Sequence, residues 1–193
     1  LVRNGCYVSR FQGDLRSVGG IVVGYGAKFD SRTDWGLISD AAALLPWVTF
    51  KLCGPAMSRE GRRAAGAIST EHSNVEWLRD LDHHSYALEV SSWDVGWVPH
   101  HHSEGEVGGD LMKIYEYAAA GLPILLTDFA AAFSYPGDVT VASRREQLAA
   151  LEALVERALS KPSRCRPADV STFSWQARSR ELRAPWSDEQ VAP

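Results

Sequence analysis

Short apolar runs alternate with stretches of helical periodicity along most of the chain. Gly20 to Gly24 (GIVVG) reads as a buried strand that runs into Gly24-Tyr25-Gly26, and the spacing of Leu37, Ile38, Ala41, Leu44 and Leu45 predicts a helix over Thr33 to Leu45. A second strand follows at Val48 to Cys53, stopped by Gly54-Pro55. The polar, arginine- and alanine-rich stretch Ala56 to Ser73 fits a short helix or a loop equally well. Asn74 to Leu78 reads as a third strand, Asp82 as the cap of a helix over His83 to Ser91, and Asp94 to Pro99 as a fourth strand. Asp110 to Asp128 (DLMKIYEYAAAGLPILLTD) carries one helix straight into one buried strand. Asp110 is its expected N-cap, Leu111, Ile114, Tyr115, Ala118 and Ala119 are its apolar stripe, and Gly121 with Leu122-Pro123 is its stop. Gly137 to Ala142 supplies a sixth strand after Ile124 to Leu126. Ser143 and Glu146 make a capping box for a helix over Arg144 to Leu159, and a last helix starts near Ser171 and carries Trp175, Ala177, Arg178 and Leu182. Such alternation predicts a doubly wound, Rossmann-like α/β domain, with about six mostly parallel strands and helices on both faces.

Ligands of such sheets bind beyond the carboxyl ends of the strands. Gly24 to Gly26, Gly54, the run His100-His101-His102 and the loop Gly105-Glu106-Val107-Gly108-Gly109 all follow strands, so they are expected along one edge. The last of these delivers backbone N–H groups to the helix that follows, which is the recipe for an anion site. Lys113 in the first turn of that helix and Glu116 three residues on share a face, so phosphate oxygens and a ribose diol can be held together. The alternative is an exposed Lys-Glu pair worth tenths of a kcal/mol.

Composition narrows this further. The 193 residues are 45% hydrophobic and 23% charged, enough for one core, and the net charge of −4 with a pI near 5.9 argues against nucleic acid as a partner. Arginine carries most of the positive charge; the lysines are Lys28, Lys51, Lys113 and Lys161, which makes one inside a glycine-led helix informative. Cys6, Cys53 and Cys165 show neither a disulfide frame nor metal-ligand spacing, consecutive histidines make poor tetrahedral ligands, and so no metal is expected. Gly24-Tyr25-Gly26 lacks the third glycine of a dinucleotide fingerprint, and no cofactor is expected. No apolar run reaches bilayer length and no signal peptide is visible. The chain opens at Leu1 on linker-like sequence, the reading expected of a fragment.

The segment MKIYEYAAAGLPILLTD resembles the signature of the C-terminal, donor-binding half of GT-B-fold glycosyltransferases, especially glycosyltransferase family 4. Arg3 to Tyr7 with Phe11 resembles that family's interdomain segment, and Ser174 to Arg178 its closing helix. The resemblance implies a linker over 1–18, a nucleotide-sugar-binding domain over 19–165, a crossing helix and tail over 166–193, and an acceptor domain lying outside this chain. It implies that Glu116 binds the ribose of a UDP- or GDP-sugar and that Lys113 reaches its diphosphate, with His100, Tyr25, Gly24, Gly26 and Gly54 around the donor. Two departures stand out. Tyr25 occupies the place of a phosphate-binding arginine, with no lysine opening the next helix; Gly108 occupies the place of a first glutamate, leaving backbone N–H groups of Val107 to Gly109, or Glu104 or Glu106, to meet the sugar. Lys28 and Arg32 are secondary candidates for phosphate, and Trp35 for the rim. The implied activity is transfer of a hexose, with retained configuration and without metal, to a glycan or lipid-linked acceptor in polysaccharide biosynthesis. Its implied setting is the cytoplasm, with the full enzyme peripherally associated with the inner face of the membrane. A nucleotide-sugar epimerase-like domain and a non-catalytic nucleotide-binding module are the alternatives.

Overall fold

A computed structural model describes residues 3–13, 19–101, 109–128, 134–160 and 169–183. Its centre is a parallel sheet of six strands: β1 (Val22–Gly26), β2 (Thr49–Cys53), β3 (Val75–Arg79), β4 (Val95–Val98), β5 (Ile124–Thr127) and β6 (Val139–Ala142), in the order β3-β2-β1-β4-β5-β6. The helices are α1 (Trp35–Leu44), α2 (Arg59–Glu71), α3 (His83–Ser92), α4 (Met112–Ala120), α5 (Gln147–Ser160) and α6 (Trp175–Arg183). Two short 3-10 turns, Val8–Phe11 and Val170–Phe173, complete the described elements. None of the helices is long and apolar enough to cross a membrane.

Central strands β1, β4 and β5 are buried at every position, as strands covered on both faces must be. Neighbouring residues of β4 show the two layers: a Cβ at Gly96 would collide with the Tyr117 ring of α4, whereas the Trp97 indole donates to Gln147 Oε1 of α5 at 2.9 Å. Gln147 is fully buried because all its polar atoms are used; its Nε2 donates to the carbonyls of Leu126 and Ala142. At the opposite edge, Asn74 Nδ2 lies within hydrogen-bond distance of the carbonyls of Ala42, Leu45 and Val48, tying the end of α1 to the start of β3.

The undecided stretch after β2 is the helix α2, capped by Ser58, which accepts from Gly61 N. Asp82 caps α3 as expected, accepting from His84 N and Ser85 N. Asp110 does not cap α4. Leu111 holds the N-cap position without a side-chain hydrogen bond, because Asp110 is turned to the N-terminal segment: Arg3 pairs with it at 3.0 Å, Asn4 N donates to it at 2.6 Å, and the Tyr115 hydroxyl donates at 2.8 Å. Gly121, at φ 76°, ends α4 in the left-handed conformation that glycine adopts without strain. The last helix begins only at Trp175, after a 3-10 turn. Both ends of the described chain meet here: Cys6 N donates to Phe173 O, Trp175 N donates to Cys6 O, and Arg178 Nε donates to Asn4 O.

Candidate functional site

The strand order reverses between β1 and β4, and a crevice opens there beyond the carboxyl ends of the strands. It is a cleft of about 630 Å³ whose walls include Gly26, Gly54, Tyr86, His100, Lys113 and Glu116. These residues come from the ends of β1, β2 and β4 and from α3 and α4.

Helix α4 points its N-terminus into the cleft, through Leu111, Met112 and Lys113. The N-cap Leu111 gives the first turn no side-chain hydrogen bond, and its own N–H donates to the Tyr135 hydroxyl at 3.1 Å, so the positive end of the helix faces the cleft through Met112 and Lys113. The Lys113 ammonium stands 4.8 Å from the centroid of the Tyr25 ring. Burial and the nearby Arg32 charge pull it down to about 8, against the opposing influence of Glu116 and Asp30. Glu116, one turn deeper, is only 7% exposed, and the Tyr86 hydroxyl donates to its Oε2 at 3.2 Å. Burial lifts its carboxyl to about 7, with the Tyr86 hydrogen bond and the Lys113 charge pulling the other way. No ion pair joins Lys113 to Glu116 among the described residues. The exposed helical pair is therefore not what the fold builds.

Glu116 makes stability pH-dependent in a definite direction. Between its ordinary value of 4.5 and about 7, the folded chain keeps a proton that the unfolded chain has released. Stability should therefore fall as pH rises through that window, by on the order of 2 kcal/mol. Urea titrations at the two ends of the window, on wild type and Glu116→Gln, measure this; equal losses in both would contradict it. Lys113 acts above it with the opposite sign, because the folded chain has then lost a proton that the unfolded chain retains.

His100 is buried behind Lys113, its Nε2 2.7 Å from the Tyr25 hydroxyl and its backbone N–H donating to Thr127 Oγ1. Burial and the charges of Lys113 and Arg32 depress it to about 3, so it is a neutral imidazole at physiological pH. Tyr25 itself is buried and braces both His100 and Lys113. Gly24 lies away from the cleft, under α3, where a Cβ would come within 1.8 Å of the Trp93 ring. Gly26 lines the cleft, but its N–H donates to the Tyr117 hydroxyl at 2.8 Å. Gly54 has φ 135°, and a Cβ there would meet Ala27 O at 1.9 Å, so the turn after β2 requires glycine.

Lys28 and Arg32 stand on the cleft wall, the latter paired with Asp30 at 2.6 Å; Trp35 and His101 border a separate hollow instead. Gly109 is exposed at the lead-in to α4, while Glu104, Glu106, Val107 and Gly108 lie outside the described residues. Among the described residues no group of three histidine, cysteine or acidic side chains is placed to hold a metal. Tyr86 and Tyr117 were not singled out from the sequence. Only the packing of α3 and α4 brings their hydroxyls to Glu116 and Gly26.

No protein-family model and no curated protein matches the chain. Solved structures do. It is similar to a sucrose-phosphate synthase from Thermosynechococcus elongatus, with a TM-score of 0.73, 19% identity, and 96% of this chain against 51% of that one. A structure of Anabaena HepE in complex with UDP-glucose aligns at a TM-score of 0.73 with 16% identity, over 97% of this chain and 57% of that one. An α,α-trehalose-phosphate synthase (UDP-forming) from Burkholderia vietnamiensis aligns at 0.65 with 16% identity, over 90% and 44%. The chain thus spans about half the length of the structures it matches, and its fold is one half of a GT-B fold.

Proposed function

We propose that this chain is the donor-binding half of a nucleotide-sugar-dependent glycosyltransferase. The observation that carries the reading is the placement of Lys113 and Glu116 on successive turns of an uncapped helix, facing a cleft at the switch point of the sheet. The helix N-terminus and Lys113 receive the diphosphate, and Glu116 accepts hydrogen bonds from the ribose. The diphosphate is the leaving group, so positive charge fixed at that place stabilises the transition state as its negative charge grows. Glu116 orients the donor and does not attack it. Neutral His100 closes the cleft from the end of β4.

In this reading the donor is a UDP- or GDP-linked hexose. The Anabaena HepE structures that this chain resembles, one with UDP-glucose and one with UDP and glucose, favour the uridine form. Transfer proceeds with retained configuration to a glycan or lipid-linked acceptor, on the cytoplasmic side of the membrane, and needs no metal because Lys113 and the helix supply the charge. The acceptor is held by a second, N-terminal half. In this reading residues 1–18 are the linker to that half and residues 166–193 the crossing helix and tail; of these, Asn4 and Cys6 are hydrogen-bonded to Phe173, Trp175 and Arg178.

Calorimetric titration of the chain with UDP, GDP and NADH tests the proposal. Saturable binding of a nucleoside diphosphate is expected, weakened about 10-fold by Glu116→Ala, the loss of one charged hydrogen-bond acceptor. Binding of NADH alone, or diphosphate binding indifferent to Glu116, would overturn it.

A further inference from the structure

Glu116 sits in a frame made of tyrosines. Tyr86 reaches it from α3, and the Tyr86 ring is held on three sides: edge-on to Trp93 at 6.3 Å, edge-on to Phe11 at 6.2 Å, and over Gly26, where a Cβ would lie 2.3 Å from the hydroxyl. The ring cannot swing away without rebuilding that packing. Its hydroxyl is a permanent donor, because burial keeps the phenol protonated well above its ordinary range. Beside it, Tyr117 takes the Gly26 N–H. The remaining titratable groups near Glu116 are Lys113 on its own helix, which forms no ion pair with it, and Cys6, whose thiol burial pushes up to about 12 and keeps neutral. Among the described residues, the Tyr86 hydroxyl is the donor that reaches the carboxylate, and it does so at Oε2 only.

We propose that Tyr86 is a positioning residue that pins one oxygen of the Glu116 carboxylate and leaves the other for the two hydroxyls of a ribose diol, so that the cleft prefers ribonucleoside over 2′-deoxyribonucleoside diphosphates. The ribose preference rests on the donor-binding reading; the pinning does not. A carboxylate clamped at one oxygen cannot rotate to follow a misplaced partner. A ribose presents two adjacent donors to it and a 2′-deoxyribose only one, which leaves part of a buried charge unpartnered. An unclamped carboxylate adapts to either sugar and discriminates less.

Tyr86→Phe keeps the ring and removes the clamp. Two readouts are taken on wild type and variant: the titration of the Glu116 side-chain carboxyl by carbon NMR without ligand, and calorimetric binding of UDP and 2′-deoxy-UDP. The pinning predicts that the Glu116 midpoint rises by about half a unit or more in Tyr86→Phe, since a hydrogen bond to the charged form is lost. The preference predicts about 10-fold tighter wild-type binding of UDP than of its deoxy analogue, shrinking to about twofold in the variant. An unchanged midpoint overturns the pinning, and an unchanged ratio overturns the preference. If wild type binds neither nucleotide the donor reading fails, taking the ribose preference with it, and the carboxyl titration still decides whether Tyr86 holds Glu116.

Discussion

Lys113→Ala should weaken UDP binding about 100-fold, the loss of a charge-assisted phosphate contact made in a partly dry site. The side chain has little freedom to be replaced by a neighbour. Its ammonium is fixed over the Tyr25 ring, and Arg32, the nearest alternative cation, is engaged by Asp30. Lys113→Arg should recover only part of the loss, because a planar guanidinium laid on that ring no longer presents a point charge to the phosphates. Since the free ammonium titrates near 8, wild-type affinity should also fall as pH rises through that value, and Lys113→Ala should lose this dependence. Calorimetry across that range at fixed salt measures both. A change within twofold at neutral pH, or an identical pH profile in the variant, would remove Lys113 from the site.

The largest effect on stability is expected at Trp93. This indole has no exposed surface, stands edge-on to Tyr86 and Tyr117, and fills the space that Gly24 leaves open on β1. Trp93→Ala should cost about 3–5 kcal/mol, the usual range for emptying a buried aromatic site. Gly24→Ala attacks the same contact from the other side. Its Cβ has nowhere to go without displacing the ring, and a cost of about 1–3 kcal/mol is expected. Urea unfolding measures both, with an unchanged m-value as the sign that the denatured state is not the cause. A loss below about 1 kcal/mol for Trp93→Ala would mean that the core closes over the gap.

Much of this architecture was legible in the residues. GIVVG, Ile124 to Leu126 and the apolar stripe of α4 announce buried strands and a packed helix, and the alternation of strand and helix along most of the chain leaves few topologies. What escaped has physical causes. Helix α2 buries only Gly61, Ala65 and Ile68, a single large apolar side chain among several arginines, so its apolar face is too thin to stand out from a polar loop. Asp110 sits where a cap belongs, yet Arg3 and Asn4, more than a hundred positions earlier, offer it stronger partners. Within the site, Lys113 and Glu116 lie close in sequence and share one periodic segment. Tyr86 belongs to another helix, and nothing local to it records that β1 ends in a glycine beneath its hydroxyl. Gly24 shows the converse, a glycine in a ligand-like motif whose missing side chain serves the core.

The meeting of the first and last described segments beside the start of α4 has a bearing on how the fold forms. Arg3 and Asn4 anchor Asp110, just ahead of the helix's N-cap, Phe173 and Trp175 hold Cys6, and Arg178 holds Asn4. The last of these links spans 174 positions, so it forms only after nearly all the intervening chain is in place. Arg3 and Asn4 can reach Asp110 once the chain extends that far, but the links of Cys6 and Asn4 to Phe173, Trp175 and Arg178 form only once that late segment is in place. The fastening beside the start of α4 is thus completed last, after the strands and helices that line the cleft are already in place.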